Sequence, residues 1–273
     1  MSEDKYPANL LSLHAAEESN TNLHRDAIRN QPDMMFAIGC VESSMNAIMH
    51  AIHFGTEQDD DERTVRILGI RLFNGMASAL KLLLAGYYQT SALQQRDLLE
   101  TLFLLDYFRI DKGLISEWRT SSEKERLKKF KPSAVRDALD KRDNFKTRKR
   151  QEEYIALSNL AGHPTADGFV MLRTASGDHD CGPFTNMFLL TTVLEQLVKL
   201  SLQAAWHLTR LLPTTEEHLR KPEDLAVRLQ FLEFHARWGE KVFQRPFPRD
   251  EIDEIKLALK TLHGMEIRLA ACE

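Results

Sequence analysis

The sequence has only three cysteines, Cys40, Cys181 and Cys272, widely spaced and without any C-x-x-C pair. An odd, scattered set excludes a disulfide framework and reads as reduced thiols in a reducing compartment. No Gly-rich phosphate loop, no G-x-S-x-G elbow and no zinc-ligand spacing is present. P-loop nucleotide hydrolysis, α/β-hydrolase acyl transfer and the familiar zinc sites therefore find no motif here. β-Branched alternation is almost missing, and with it the signal for a half-buried sheet. No internal repeat points to a solenoid, and no low-complexity tract interrupts the chain. The opening stretch, MSEDKYPANLLSLHAAEESN, places acids beside the first lysine and holds no apolar run. A secretory signal is not expected, and the expected compartment is the cytoplasm.

What the chain does have is apolar residues at helical spacing. Hydrophobic residues make up 43% and charged residues 28% of the 273, enough to bury one continuous core. Glycines and prolines fall between the periodic segments, which predicts an all-α bundle of roughly eight to ten helices in a single domain. The core is expected over about residues 32–212, with a C-terminal helical hairpin over about 222–272. Pro32 and Asp33 open a helix to about Phe54, and another is expected over about 61–85, with Gly86 either breaking it from the next or lying inside a continuous helix. In residues 98–110, nine of thirteen positions are apolar and point all round the helix, so the helix over 87–110 is expected at the centre. Segments 111–130, 132–144 and 145–161 read as shorter helices, and 184–212, 222–244 and 249–271 as the last three. The stretch 184–212 is the most hydrophobic, yet it carries Glu195, Lys199, His207 and Arg210. A buried core helix is expected there, and no membrane span. The exception to the helical pattern is GHPTADGFVMLRTASGDHDCGP, residues 162–183, with four glycines, two prolines and two short candidate strands. It reads as a long loop or a small hairpin, a kind of segment that often carries function.

The net charge of −4 hides an uneven distribution. Residues 123–150 hold twelve Lys/Arg against five Asp/Glu, a local excess of +7, which leaves −11 on the rest of the chain. Part of that deficit is the run Glu57, Asp59, Asp60, Asp61 and Glu62. Such runs serve as solvated faces or, for the basic one, as a surface for RNA or another polyanion. The residues expected to carry that binding are Lys128, Lys129, Arg148, Lys149 and Arg150.

Two constellations could carry chemistry. Arg96 and Glu100 lie one helical turn apart, on a face continued by Phe103 and Tyr107. Charges on a central helix must pair with each other or with neighbouring helices, as an ion pair that fixes register or as a site with shifted pKa values. Tyr154 and Ser158 share a face in YIALSNLAGHP, and His163 follows where the helix must end before Pro164. A histidine at a helix C-terminus is favoured by the dipole alone; as a functional group it would exchange a proton beside the tyrosine hydroxyl, with Arg96 as anion anchor and Glu100 orienting a neighbour. Metal ligation finds less support. Asp178, His179, Asp180 and Cys181 adjoin one another, and adjacent residues rarely converge on one ion. His50 and His53 lack the Glu-x-x-His partner of a di-iron bundle. No cofactor and no metal are expected.

The helix RDLLETLFLLDYF, residues 96–108, followed later by Y-x3-S-x4-H-P, residues 154–164, resembles a group of bacterial helical proteins loosely similar to the HEPN superfamily. The resemblance covers about residues 65–210. It implies a helical bundle, a homodimer, a link to defence or toxin–antitoxin systems, and metal-independent RNase activity through an Arg-x4-6-His motif at the dimer interface. Arg173 with His179, and Arg228 with His235, match that spacing. Arg173 lacks the polar residue that usually follows the family's arginine, and Arg228 and His235 lie outside the region of resemblance. Beside this stands the other class of reading, a helical interaction or regulatory protein without an enzymatic reaction.

Overall fold

The computed structural model describes residues 6–53, 59–212 and 221–263. Among them run eleven α-helices and no strand, the all-α bundle expected. In chain order they are α1 (Ala8–Arg29), α2 (Pro32–His53), α3 (Asp60–Ala85), α4 (Tyr88–Phe108), α5 (Gly113–Thr120), α6 (Glu123–Lys129), α7 (Pro132–Arg142), α8 (Lys149–Leu157), α9 (Met187–Leu211), α10 (Pro222–Phe243) and α11 (Asp250–His263). A π-turn over Ser158–Gly162 extends α8, and a 3₁₀ turn spans Asp167–Leu172.

Apolar side chains pointing all round a helix need neighbours on every side, and α4 has them. It packs on α3 and α9, while α9 packs in turn on α2. Leu98, Leu99, Leu105 and Phe108 of α4 and Leu190, Leu197, Leu202 and Leu208 of α9 are fully or almost fully buried in one hydrophobic core. That core runs on through Leu225 and Leu229 of α10 into Ile252 and Leu259 of α11. The C-terminal hairpin is thus an extension of the same core, laid against α2 through α10. Among the described residues, the two helices long and apolar enough to cross a membrane, by length and composition, are α2 and α3 rather than α9, with 33% of each such window buried in the bundle.

Local chemistry sets the breaks. Asp59 caps α3 by accepting from the Asp61 and Glu62 amides at 2.9 and 2.8 Å. Asp60, Asp61 and Glu62 fill its first turn, where the positive end of the helix dipole favours them. The described part of the acidic run, from Asp59 to Glu62, is therefore a helix start and not part of a loop over 55–62, the reading its place after Gly55 suggests; residues 55–58 lie outside the described residues. Gly86 ends α3 at φ +96°, and a side chain there would run into the Phe184 carbonyl, so α3 and α4 are two helices. The single helix expected over 111–130 is two, because Ser122 and Glu125 close a capping box that restarts the chain at α6. The last helix is described only to His263; residues 264–271 of its expected extent, and Cys272, lie outside.

Before Pro32 the chain forms α1, a helix additional to those expected from the sequence. Its inward anchor is His24, 1% exposed. The His24 Nδ1–H donates to the Leu84 carbonyl at 2.8 Å, and Nε2 accepts from the Tyr88 hydroxyl at 3.0 Å. The Tyr88 oxygen accepts the Asn186 amide at 2.7 Å. One relay ties α1 to α3, α4 and the entry of α9.

The segment 162–183 corrects its candidate strands. Gly168 and Met171, three residues apart, are buried while Phe169 and Val170 are exposed, the three-residue period of a 3₁₀ turn and not the two-residue period of a strand. Only a single antiparallel bridge, Arg173 with His179, forms beyond it.

Candidate functional site

Arg96, Glu100, Tyr154 and Ser158 meet where α8 and its π-turn cross α4. Arg96 donates from Nε to the Ser158 hydroxyl at 3.0 Å and from one terminal nitrogen to the Tyr154 hydroxyl at 2.5 Å. The same terminal nitrogen pairs with Glu100 at 3.1 Å, with side-chain exposures of 24% and 29%. The pair is half-buried at the edge of the central helix rather than enclosed. Partial burial opposes the Arg96 charge, but the Tyr154 hydroxyl and the Glu100 carboxylate outweigh it and hold the guanidinium above the ordinary arginine range.

The wide π-turn makes this approach feasible. A Cβ on Gly162 would stand 3.1 Å from the Arg96 Cδ and 3.3 Å from its Nε, so the bare glycine leaves room for the side chain. The turn closes through the His163 amide, which donates to the Ser158 carbonyl at 2.9 Å. His163 itself is extended, φ −135° and ψ 150°, as its neighbour Pro164 requires. Its ring is exposed and is not hydrogen-bonded to Arg96, Glu100 or Tyr154. Three of the four expected residues are joined by direct bonds; the fourth follows the glycine that Arg96 touches.

Arg136 of α7 belongs to the same cluster, and the sequence reading missed it. Its guanidinium lies 4.1 Å from the centroid of the Tyr154 ring, and Arg96 lies 4.9 Å from it. Arg136 Nε donates to Gln151 at 3.0 Å, while one terminal nitrogen is buried without a partner. Burial lowers its pKa, and the tyrosine and Glu100 resist that shift. The one signal for it was its place among Val135 and Leu139 on the inward side of α7. Gln89 anchors the region to α4, donating to the Leu160 and Gly168 carbonyls at 3.2 and 3.3 Å.

The Arg-x4-6-His pairs do other work. Arg173 and His179 meet through their backbones. Arg228 binds Glu251 at 2.6 Å, while the His235 ring stacks on Trp206 at 5.0 Å and meets Phe247 edge-on at 5.2 Å. Among the described residues, no group of three or more His, Cys, Asp or Glu is placed to hold a metal ion. His50 binds Asp224 at 2.6 Å.

The basic segment divides in two. Arg150, 13% exposed, pairs with Asp140 at 2.8 Å and with Asp143, and stands 3.7 Å from Asp106. Arg142 grips both Asp106 oxygens at 2.8 and 2.9 Å. Arg150 is thus part of an internal ionic network between α4, α7 and α8, not of the outer face. Lys129 pairs with Glu117. Lys124, Lys128, Lys131, Lys141, Lys146, Arg148 and Lys149 are exposed and form no ion pair among the described residues.

No family model, no curated protein and no solved structure matches the chain.

Proposed function

We propose that this is a non-enzymatic helical interaction or regulatory protein of the cytoplasm that docks RNA through the phosphate backbone on the α6–α8 face. The observation that carries the reading is the sorting of charge there. Arg142 and Arg150 are bound to the aspartates of the internal network, whereas seven exposed cations form no ion pair among the described residues, against three exposed carboxylates of the same stretch, Glu123, Glu125 and Asp137. Flexible lysines over a rigid ionic frame suit sequence-independent phosphate contacts. Such binding falls steeply with salt, with a log–log slope of about −0.7 per phosphate neutralised on a single strand. Titration of labelled single-stranded RNA at several salt concentrations tests it. The combined variant Lys128→Gln, Arg148→Gln and Lys149→Gln should flatten the slope by about 2, and an unchanged slope assigns the segment to solubility; Lys129 is left in place because Glu117 already pairs with it. Arg150 stays in place because it holds the frame.

A second reading, a homodimeric metal-independent RNase of the kind the HEPN resemblance implies, is favoured by one feature: the π-turn, a local widening often found at functional sites, packs Gly162 against Arg96 and is followed directly by His163. Arg96 would anchor the phosphate, Glu100 would orient a neighbour and His163 would transfer the proton. His163→Gln should then abolish cleavage in the absence of added metal while leaving the fold intact. RNA left whole by the unaltered protein over a wide pH range removes this reading.

A further inference from the structure

A groove of about 650 Å³ opens on the opposite side of α8, over the first half of α9 and between α8 and the end of α10. That volume is ordinary for a small-molecule site, which spans roughly 300 to 1,000 Å³. Its walls are mostly apolar, with Leu157, Leu160, Leu189, Val193 and Trp238 among them. Gln95 of α4 lies at its floor, 0% exposed. The Gln95 amide nitrogen donates to the Val193 carbonyl at 3.1 Å and, more weakly, to the Ser91 hydroxyl at 3.5 Å. The Ser91 proton is already given to the Ala79 carbonyl at 2.8 Å. Both neighbours are therefore acceptors, which fixes the amide orientation: turned over, its oxygen would face the Val193 oxygen. The Gln95 Oε1 is left buried with no donor, a state that normally calls for a partner.

The cations at the groove are already paired. Lys199 donates to Glu153 at 2.6 Å and Lys241 to Asp33 at 2.8 Å. A charged ligand would have to compete within these pairs for an ammonium or a carboxylate, whereas a neutral one leaves both undisturbed. We propose that the groove binds a neutral, elongated apolar small molecule that carries one hydrogen-bond donor, a hydroxyl or an N–H, delivered to the Gln95 Oε1. The apolar walls take the body of the ligand and the single acceptor sets its direction.

Isomeric probes separate this donor from apolar partition. 1-Nonanol and methyl octyl ether have the same atoms, and only the alcohol can donate; nonanoate adds charge. In displacement of a neutral environment-sensitive dye from the full chain, 1-nonanol should bind at least about fivefold tighter than the ether, the worth of one hydrogen bond, and nonanoate weakest. Gln95→Met should bring the alcohol down to the ether while leaving the ether unchanged, with circular dichroism checking that the variant is folded. Equal affinity of alcohol and ether in the unaltered protein, tightest binding of nonanoate, or no saturable binding of any probe overturns the proposal. The isomer comparison needs no variant, so it stands even if Gln95→Met fails to fold.

Discussion

The Arg136 guanidinium lies against the face of Tyr154, 4.1 Å from the ring centroid, while the hydroxyl of the same tyrosine accepts from Arg96. Tyr154 thus joins two cations by two different interactions, and they can be removed separately. Tyr154→Phe keeps the ring and loses the bond from a charged donor, at about 1–2 kcal/mol. Tyr154→Leu also loses the cation–π contact, at about 1 kcal/mol more. Urea unfolding of the two variants measures both steps. Equal stability of the Phe and Leu forms would show that Arg136 gains nothing from the ring.

Two largely but not fully buried histidines, His207 and His235, make the fold acid-sensitive. Burial holds His207 and His235 at a pKa of about 4 against the ordinary 6.5. Arg109 donates to the His207 Nδ1 at 2.9 Å and so needs that nitrogen bare; Arg210 adds positive charge near His235. As pH falls, the unfolded chain takes up these protons first. The stabilisation is complete above about pH 6.5 and is lost between there and about pH 4, at about 3 kcal/mol for each ring. Unfolding midpoints measured from pH 7.5 to 4.5 should fall accordingly. His235→Leu should flatten the decline; an identical pH profile for that variant would place the sensitivity elsewhere.

Much of this was legible because helical spacing is a local property. Arg96 with Glu100, and Tyr154 with Ser158, each share a face by sequence distance alone, and the structure joins the two faces. The position of α4 followed from its apolar girth. Partners on other helices were not legible. Arg136 and Gln95 look like ordinary polar residues until α7 and α9 are packed, and Arg142 and Arg150 could not be told from the exposed, unpaired cations of the basic run without seeing Asp106. The 3₁₀ turn at Asp167–Leu172 was read as a strand candidate because a short apolar run has no period of its own. Its shape is set from outside, by Thr165, which accepts the Gly168 amide at 3.1 Å, and by Gln89.

The sequence assigned the costly buried charge of α4 to Arg96 and Glu100, and the packing moves it two turns on. Asp106 is 6% exposed, held by both terminal nitrogens of Arg142, and lies 3.4 Å from His207. The exposures of 24% and 29% at Arg96 and Glu100 leave that pair screened by water. Glu100→Gln should therefore cost no more than about 1 kcal/mol, the worth of a partly exposed pair one turn apart on a helix. Asp106→Asn has the same chemistry but strands Arg142 and Arg150 with less negative charge in a dry setting, and should cost about 3–5 kcal/mol. Thermal or urea unfolding of the two variants side by side gives the comparison. If Glu100→Gln proves the more damaging, the Arg96 cluster and not the Asp106 network is what joins α4 to the α7–α8 layer.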